Sequence, residues 1–298
     1  MERYSTTHHI FDKQGIKDQL LLWGSKKSPI LWLDSNNHKD SYGKFDALLA
    51  VGEQSSLRCE DTIGAFQALA DYQSKVKDWI FGYLSYDLKN DIESLNSANS
   101  DYLKFPSLYF FQPQKIFILR GSTLTQAYLP SVAQESVLDF EDIKNVDVVT
   151  VKRSNHLNIK SRFTKEEYTK GVEQMLKHIY LGDIYEANFC PEFYAGGTID
   201  TVTTFRDLNA ISRAPFASYL KTKNQYLLCT SPERYLQKTS DKIISQPIKG
   251  TARRSEDLIE DRKIAETLQN DEKERSENIM ITDLVRNDLS RIASKGSV

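Results

Sequence analysis

Lys249 lies in the run Gln246, Pro247, Ile248, Lys249, Gly250, Thr251, sixteen residues after Glu233 of the run Ser231, Pro232, Glu233, Arg234. An amine and a carboxyl held close together are equipment for covalent polar chemistry. Desolvation strips a lysine of its proton and makes it a nucleophile, while a neighbouring carboxyl serves as general acid. Two predicted strands, 234–238 and 242–248, joined by a turn at Thr239, Ser240 and Asp241, carry the pair. A turn centred on Asp241 sets Glu233 and Lys249 on one ladder rung, whereas a centre half a step earlier puts them on opposite faces. An ordinary cross-strand ion pair is the alternative use of the same two residues. Gly250 leaves room for a ligand to approach the backbone, amid a basic cluster of Lys249, Arg253 and Arg254.

A second constellation lies on the last predicted helix, which begins at Asp271, where Asp271 and Glu274 form a capping box. At about 100° per residue, Glu277, Ile281, Leu284 and Asp288 share a stripe, with Glu274 about 60° off it. Carboxylates on an apolar, inward face call for a cation, and Mg²⁺ suits one or two of them together with an anionic substrate. The alternative is that Glu274 and Glu277 complement the helix dipole and Asp288 pairs with an arginine such as Arg291.

The elements that must position these groups follow from hydrophobic periodicity. Residues 1–125 form a sheet-rich region, with strands expected at 29–34, 45–51, 79–86 and 115–119. A polar, acidic stretch, 126–160, reads as a connecting segment with a short β-branched run at 147–151. Residues 161–298 form the region that carries the chemistry. It opens on a capping box, Thr164 with Glu167, then a helix stopped by Gly182. A strand at 184–190 would put Glu186 and Asn188 on one face, either bordering a cavity or simply exposed. A strand at 226–230 and a helix at 256–268 complete the region.

Composition narrows the function classes. With 298 residues, 40% of them hydrophobic, the chain is long enough for a substantial core, and a formal charge of -2 gives no field for nucleic acid or an anionic membrane. No stretch approaches the roughly 18 apolar residues of a membrane span, and the N-terminus lacks a secretory segment. Cys59, Cys190 and Cys229 read as reduced core thiols of a cytoplasmic protein, and His8, His9, His38, His156 and His178 show no metal-ligand spacing. His178 reads as a surface or satisfied residue.

Together the runs 182–188, 213–216, 231–234, 247–251, 273–288 and 296–298 resemble the chorismate-utilising enzymes, and among them the large components of aminodeoxychorismate synthases. Looser matches fall at 33–35, 44–46 and 82–87. The resemblance implies an α+β fold of two mostly antiparallel sheets packed roughly orthogonally, with helices on the outer faces. It implies amination of chorismate at C4, using ammonia from a separate glutamine amidotransferase subunit, toward 4-aminobenzoate and folate. In that family pattern Lys249 attacks C2, Glu233 is the acid, Gly250 and Thr251 contact substrate, and Glu277 with Glu274 holds Mg²⁺. The region of Ser35 resembles a tryptophan site of the anthranilate branch. Anthranilate synthases carry alanine where Lys249 stands, and isochorismate and salicylate synthases carry a lysine where Glu186 stands. Glu186 departs from the glutamine usual among the aminating members. Family members also extend past the last residues of this sequence, so the resemblance implies a C-terminally incomplete, poorly active chorismate-binding chain. Anthranilate synthase is the alternative activity.

Overall fold

A computed structural model describes residues 2–148 and 157–298, so His156 and most of the run expected at 147–151 lie outside the described residues. Contacts divide the chain into two compact units, 1–148 with 205–298, and 149–204. The fold is α+β, built from antiparallel sheets and helices.

The larger unit begins with β1 (Tyr4–His9), α1 (Lys13–Ser25), β2 (Ile30–Asp34), β3 (Ala47–Cys59), α2 (Ala65–Val76), β4 (Phe81–Leu84), β5 (Leu108–Arg120), β6 (Thr123–Tyr128) and α3 (Ser136–Lys144). The smaller contains β7 (Lys160–Ser161), α4 (Lys165–Leu181) and β8 (Phe193–Tyr194), and α5 (Thr201–Ser212) leads out of it. Then follow β9 (Phe216–Thr222), β10 (Gln225–Ser231), β11 (Arg234–Thr239), β12 (Lys242–Gln246), α6 (Leu258–Asn270) and α7 (Glu272–Ser290).

One sheet runs β1-β6-β5-β3-β2-β9-β10, with β4 on β5, and every pairing is antiparallel. Strands β9 and β10, from the later part of the chain, thus extend the sheet begun by the first, with Trp32 opposite Tyr219 and Leu31 opposite Leu220. Each of the four strands expected in the first 125 residues forms, and β3 and β5 run 13 residues each. They stay paired through an irregularity between Glu53 and Ser55, beside Pro113. Proline has no N–H to give the ladder, so the local pairing must skip.

Helix α1, capped by Asp12 accepting from the Gly15 amide at 2.9 Å, buries Ile16, Leu20, Leu21 and Trp23. Trp23 meets Phe117 edge to face at 5.4 Å, and Gly24 brings the helix backbone against Leu49. Trp32, Phe111, Phe117, Tyr128, Phe205 and Tyr219 are fully buried. Side chains of this size contribute roughly 1.5–3 kcal/mol each on burial.

In the smaller unit the Thr164 and Glu167 capping box forms in both directions, at 3.1 and 2.8 Å, and Gly182 ends α4 at φ 78°. The strand expected at 184–190 does not form. Phe189 instead turns back between Phe163 and Tyr168 and sits on Gly171, where a Cβ would come within 2.7 Å of its ring. Hydrophobic packing onto α4 takes the place of strand pairing. Glu186 is half-buried, and Asn188 and Tyr185 are exposed. The three cysteines are free and none is in the core: Cys59 and Cys229 are half-buried and Cys190 is exposed. His178 is exposed and meets Asp183 at 2.7 Å. No helix among the described residues is long and apolar enough to cross a membrane.

Candidate active site

The hairpin turns on Ser240 and Asp241, with Thr239 opposite Lys242 and Ser240 at φ 53°. This two-residue loop has its centre half a step before Asp241, and pairing becomes irregular between Arg234 and Gln237 before ending at Arg234 opposite Gln246. Glu233 and Lys249 therefore share no ladder rung; both lie just beyond the paired strands. Local contacts fix Glu233, and one of them joins it to the Lys249 segment. The Ser231 hydroxyl accepts from the Glu233 amide and donates to its carbonyl, each at 3.2 Å, and the Glu233 carboxylate accepts from the Ile248 amide at 3.3 Å. The acid is thus held at the backbone amide of the residue before Lys249.

The loop after Ile248 is seated on α7. Asn278 donates from its side-chain amide to the Lys249 carbonyl at 3.0 Å. Gly250 stands at φ 70°, where a Cβ would lie 3.2 Å from the Glu274 Cβ and 3.4 Å from its carboxylate. Only glycine adopts that conformation without strain and admits so close an approach. Thr251 then lines a cavity of about 500 Å³ between the loop, α6 and α7, with Lys263, Ile264, Leu268, Asp271 and Glu274 among its walls.

Helix α7 departs from its expected face. Glu274, Glu277, Met280, Ile281, Val285 and Leu289 are half-buried, while Leu284 and Asp288 are exposed. The real stripe follows three- and four-residue spacing through 274, 277, 281, 285 and 289, so Asp288 falls off it. The capping box at its start forms by half. Asp271 accepts from the Glu274 amide at 2.9 Å, but the Asp271 amide bonds Leu268, and Glu274 faces Gly250 instead.

Glu274 and Glu277 share one cation, since Lys273 Nζ stands 3.3 Å from each. The hydrogen bond to Glu277, then that to Glu274, raises the Lys273 pKa. Among the described residues no group of three or more histidine, cysteine, aspartate or glutamate side chains converges as a metal cage. Two oxygen ligands one helical turn apart, already bridged by a positive charge, nevertheless fit the way Mg²⁺ uses one or two carboxylates and keeps its waters. The basic cluster around Gly250 is smaller than its sequence implies. Arg254 pairs bidentately with Asp261 of α6 at 2.7 and 2.8 Å, and this hydrogen bonding, joined by the Ser255 amide, lowers the Asp261 pKa.

Ser35 is half-buried at the end of β2, its amide donating to Asp46 and its carbonyl accepting from His38. Beneath it Lys17 and Asp34 form an ion pair at 2.8 Å, with side chains 3% and 7% exposed. The loop that follows is pinned through Asn36 to Asn209 and the Ala214 carbonyl, through His38 to the Arg213 carbonyl, and through Asp40 to Arg234. Asp40 carries no sequence pattern that marks it, and Asn278 lies in the run 273–288 without a role assigned to it. Arg234 sits in a motif that drew notice only for Glu233.

Residues 27–298 match the model of the chorismate binding enzyme family. The chain belongs to that family. It is 40% identical over 138 residues, 46% of this chain and 30% of the relative, to aminodeoxychorismate synthase component 1 of Escherichia coli. It is 30% identical over 224 residues, 74% of this chain and 46% of the relative, to an anthranilate synthase component I-like protein of Synechocystis. The chain thus spans about half or less of the length of the curated relatives it matches. In structure it resembles anthranilate synthase component I of Streptococcus pneumoniae, with a TM-score of 0.71 at 17% identity, over 86% of this chain and 64% of that one. That likeness speaks for the fold.

Proposed function

We propose that the chain carries the chorismate-aminating centre of an aminodeoxychorismate synthase component, replacing the C4 hydroxyl of chorismate with ammonia. The observation that carries this reading is the seating of the Lys249 loop: the Glu233 carboxylate sits on one side of it, at the Ile248 amide, and Glu274 on the other, at Gly250. The neutral Lys249 amine attacks C2, both ring double bonds shift around the far side of the ring, and the C4–O bond breaks as Glu233 gives its proton to the departing hydroxyl, releasing water. Ammonia then adds at C4, the double bonds return, and the C2–N bond breaks. The surplus ammonia proton returns to Glu233, and Lys249 leaves as the free amine.

Glu274 and Glu277 would hold Mg²⁺, which supplies charge neutralisation for a substrate carboxylate and fixes its orientation. Thr251, which lines the cavity together with Glu274, would contact the substrate. The ammonia comes from a separate glutamine amidotransferase subunit. Relatives named as anthranilate synthases support a second reading, amination at C2: component 1 of Thermus thermophilus matches 74% of the chain at 28% identity, as widely as the aminodeoxychorismate synthase component 1 of Bacillus subtilis does, 73% at 26%.

Incubation with chorismate and Mg²⁺ in the absence of ammonia, followed by peptide mass spectrometry, tests the first reading. A covalent adduct on Lys249, absent from Lys249→Ala, is expected. Anthranilate fluorescence on adding ammonium, with Lys249 unmodified, would establish the second reading instead.

A further inference from the structure

We propose that Arg234 is a positioning residue for the acid Glu233, and that Asp40, in the loop after β2, sets Arg234. The inference rests on the reading of Glu233 as proton donor. The ladder itself does not fix residue 233: the pairing is irregular between Arg234 and Gln237 and stops at Arg234 opposite Gln246. Side-chain contacts replace it. The Arg234 guanidinium donates from Nε to Gln246 at 2.8 Å, from Nη1 to Gln237 and from Nη2 to Asp40, and it lies 4.9 Å over the Phe216 ring. The Arg234 and Asp40 side chains are 11% and 24% exposed, so water competes weakly for the pair.

A guanidinium is a rigid planar fork, so partners on three of its nitrogens and one of its faces define its place and tilt. One peptide bond away, Glu233 inherits that placement. The same loop grips the hairpin twice more, through the Tyr42 carbonyl, which accepts from Gln237 at 3.0 Å, and through the Tyr42 ring, 5.3 Å from the Lys242 ammonium. A shift of the loop bearing Asp40 is therefore passed to the start of β11 and on to the acid.

The test reads the Ile248 amide, whose acceptor is Glu233, by hydrogen–deuterium exchange without substrate, alongside steady-state chorismate amination. In Asp40→Ala, Ile248 should exchange about tenfold faster while the amides of β3 and β5 keep their protection. The kcat should fall about tenfold with KM for chorismate held within about twofold, and Asp40→Glu should restore most of both. Unchanged exchange at Ile248 overturns the proposal, as does loosening of Ile248 together with β3 and β5, which would mean that the pair only holds the fold. Should Asp40→Ala fail to fold, Asp40→Asn makes the same comparison with the shape preserved. Exchange decides the positioning without turnover, whereas a wild-type chain that forms no adduct at Lys249 sinks the functional reading instead.

Discussion

The eight-stranded sheet and the segment from β11 to α7 belong to the same compact unit but are held together by different means. Strands β2, β3 and β5 bury large apolar side chains on both faces, with Ile30, Leu49, Phe111, Ile116 and Phe117 at or near zero exposure. From β11 onward no residue is buried. There the order comes from directed contacts: a carboxylate on a backbone amide, a side-chain amide on a carbonyl, a guanidinium with several partners. Hydrophobic burial supplies stability without direction, whereas hydrogen bonds supply direction at a modest net gain of about 1 kcal/mol each. The scaffold and the candidate site are held by different forces.

The sharpest way to break that contrast is to truncate one side chain in each region. Phe117→Ala should cost about 3–5 kcal/mol in urea unfolding, and Ile281→Ala, half-buried on α7, less than about 1 kcal/mol. Equal losses would mean that the two regions share one kind of core. Asp34→Ala should be nearly as damaging as the first, about 3–5 kcal/mol, because it leaves the Lys17 ammonium buried and unpaired.

Acid sharpens the contrast further. Burial alone would raise the Asp78 pKa, but hydrogen bonds from Arg3, Gln112 and the Trp79 amide outweigh it and hold the carboxyl below its ordinary value. A depressed folded value adds stability that is complete above the unfolded pKa of about 3.9 and disappears as pH falls through the folded one. Unfolding free energy should therefore drop more steeply between about pH 5 and pH 2 in the wild type than in Asp78→Asn. Thr164→Ala, removing one half of a complete capping box, should cost about 1 kcal/mol. The smallest effect on stability belongs to the residue with the largest expected effect on chemistry. Lys249→Ala should change the unfolding free energy by no more than about 0.5 kcal/mol while abolishing the covalent adduct.

The same division explains what could be read from the sequence. The strands of the first region announce themselves as β-branched and aromatic runs, and the α4 capping box is a local pattern that forms as written. The helices α1 and α2 were hidden within a region read as sheet, since α2 buries only Ala65 and α1 carries lysine and glycine among its core positions. Residues 184–190 alternate as a strand should, yet Phe189 finds aromatic neighbours at the start of the preceding helix α4, which no period-two count can foresee. Of the site, the motifs located Glu233, Lys249, Gly250 and Glu274, all four of which meet at one loop. The half-step in the hairpin register and the bulge beside Arg234 depend on backbone geometry, and Asp40 reaches the site from 194 positions away, a separation beyond any local pattern.

Gly250 makes one position of the loop almost unchangeable: any side chain there would be forced into a left-handed backbone and against Glu274 at once. Position 249 meets no such bar, because the carbonyl that Asn278 grips is common to every amino acid. A lineage can therefore exchange the proposed nucleophile for an inert residue, or restore it, while the mould around it keeps its shape. Reaction type becomes the cheap variable and loop geometry the fixed one.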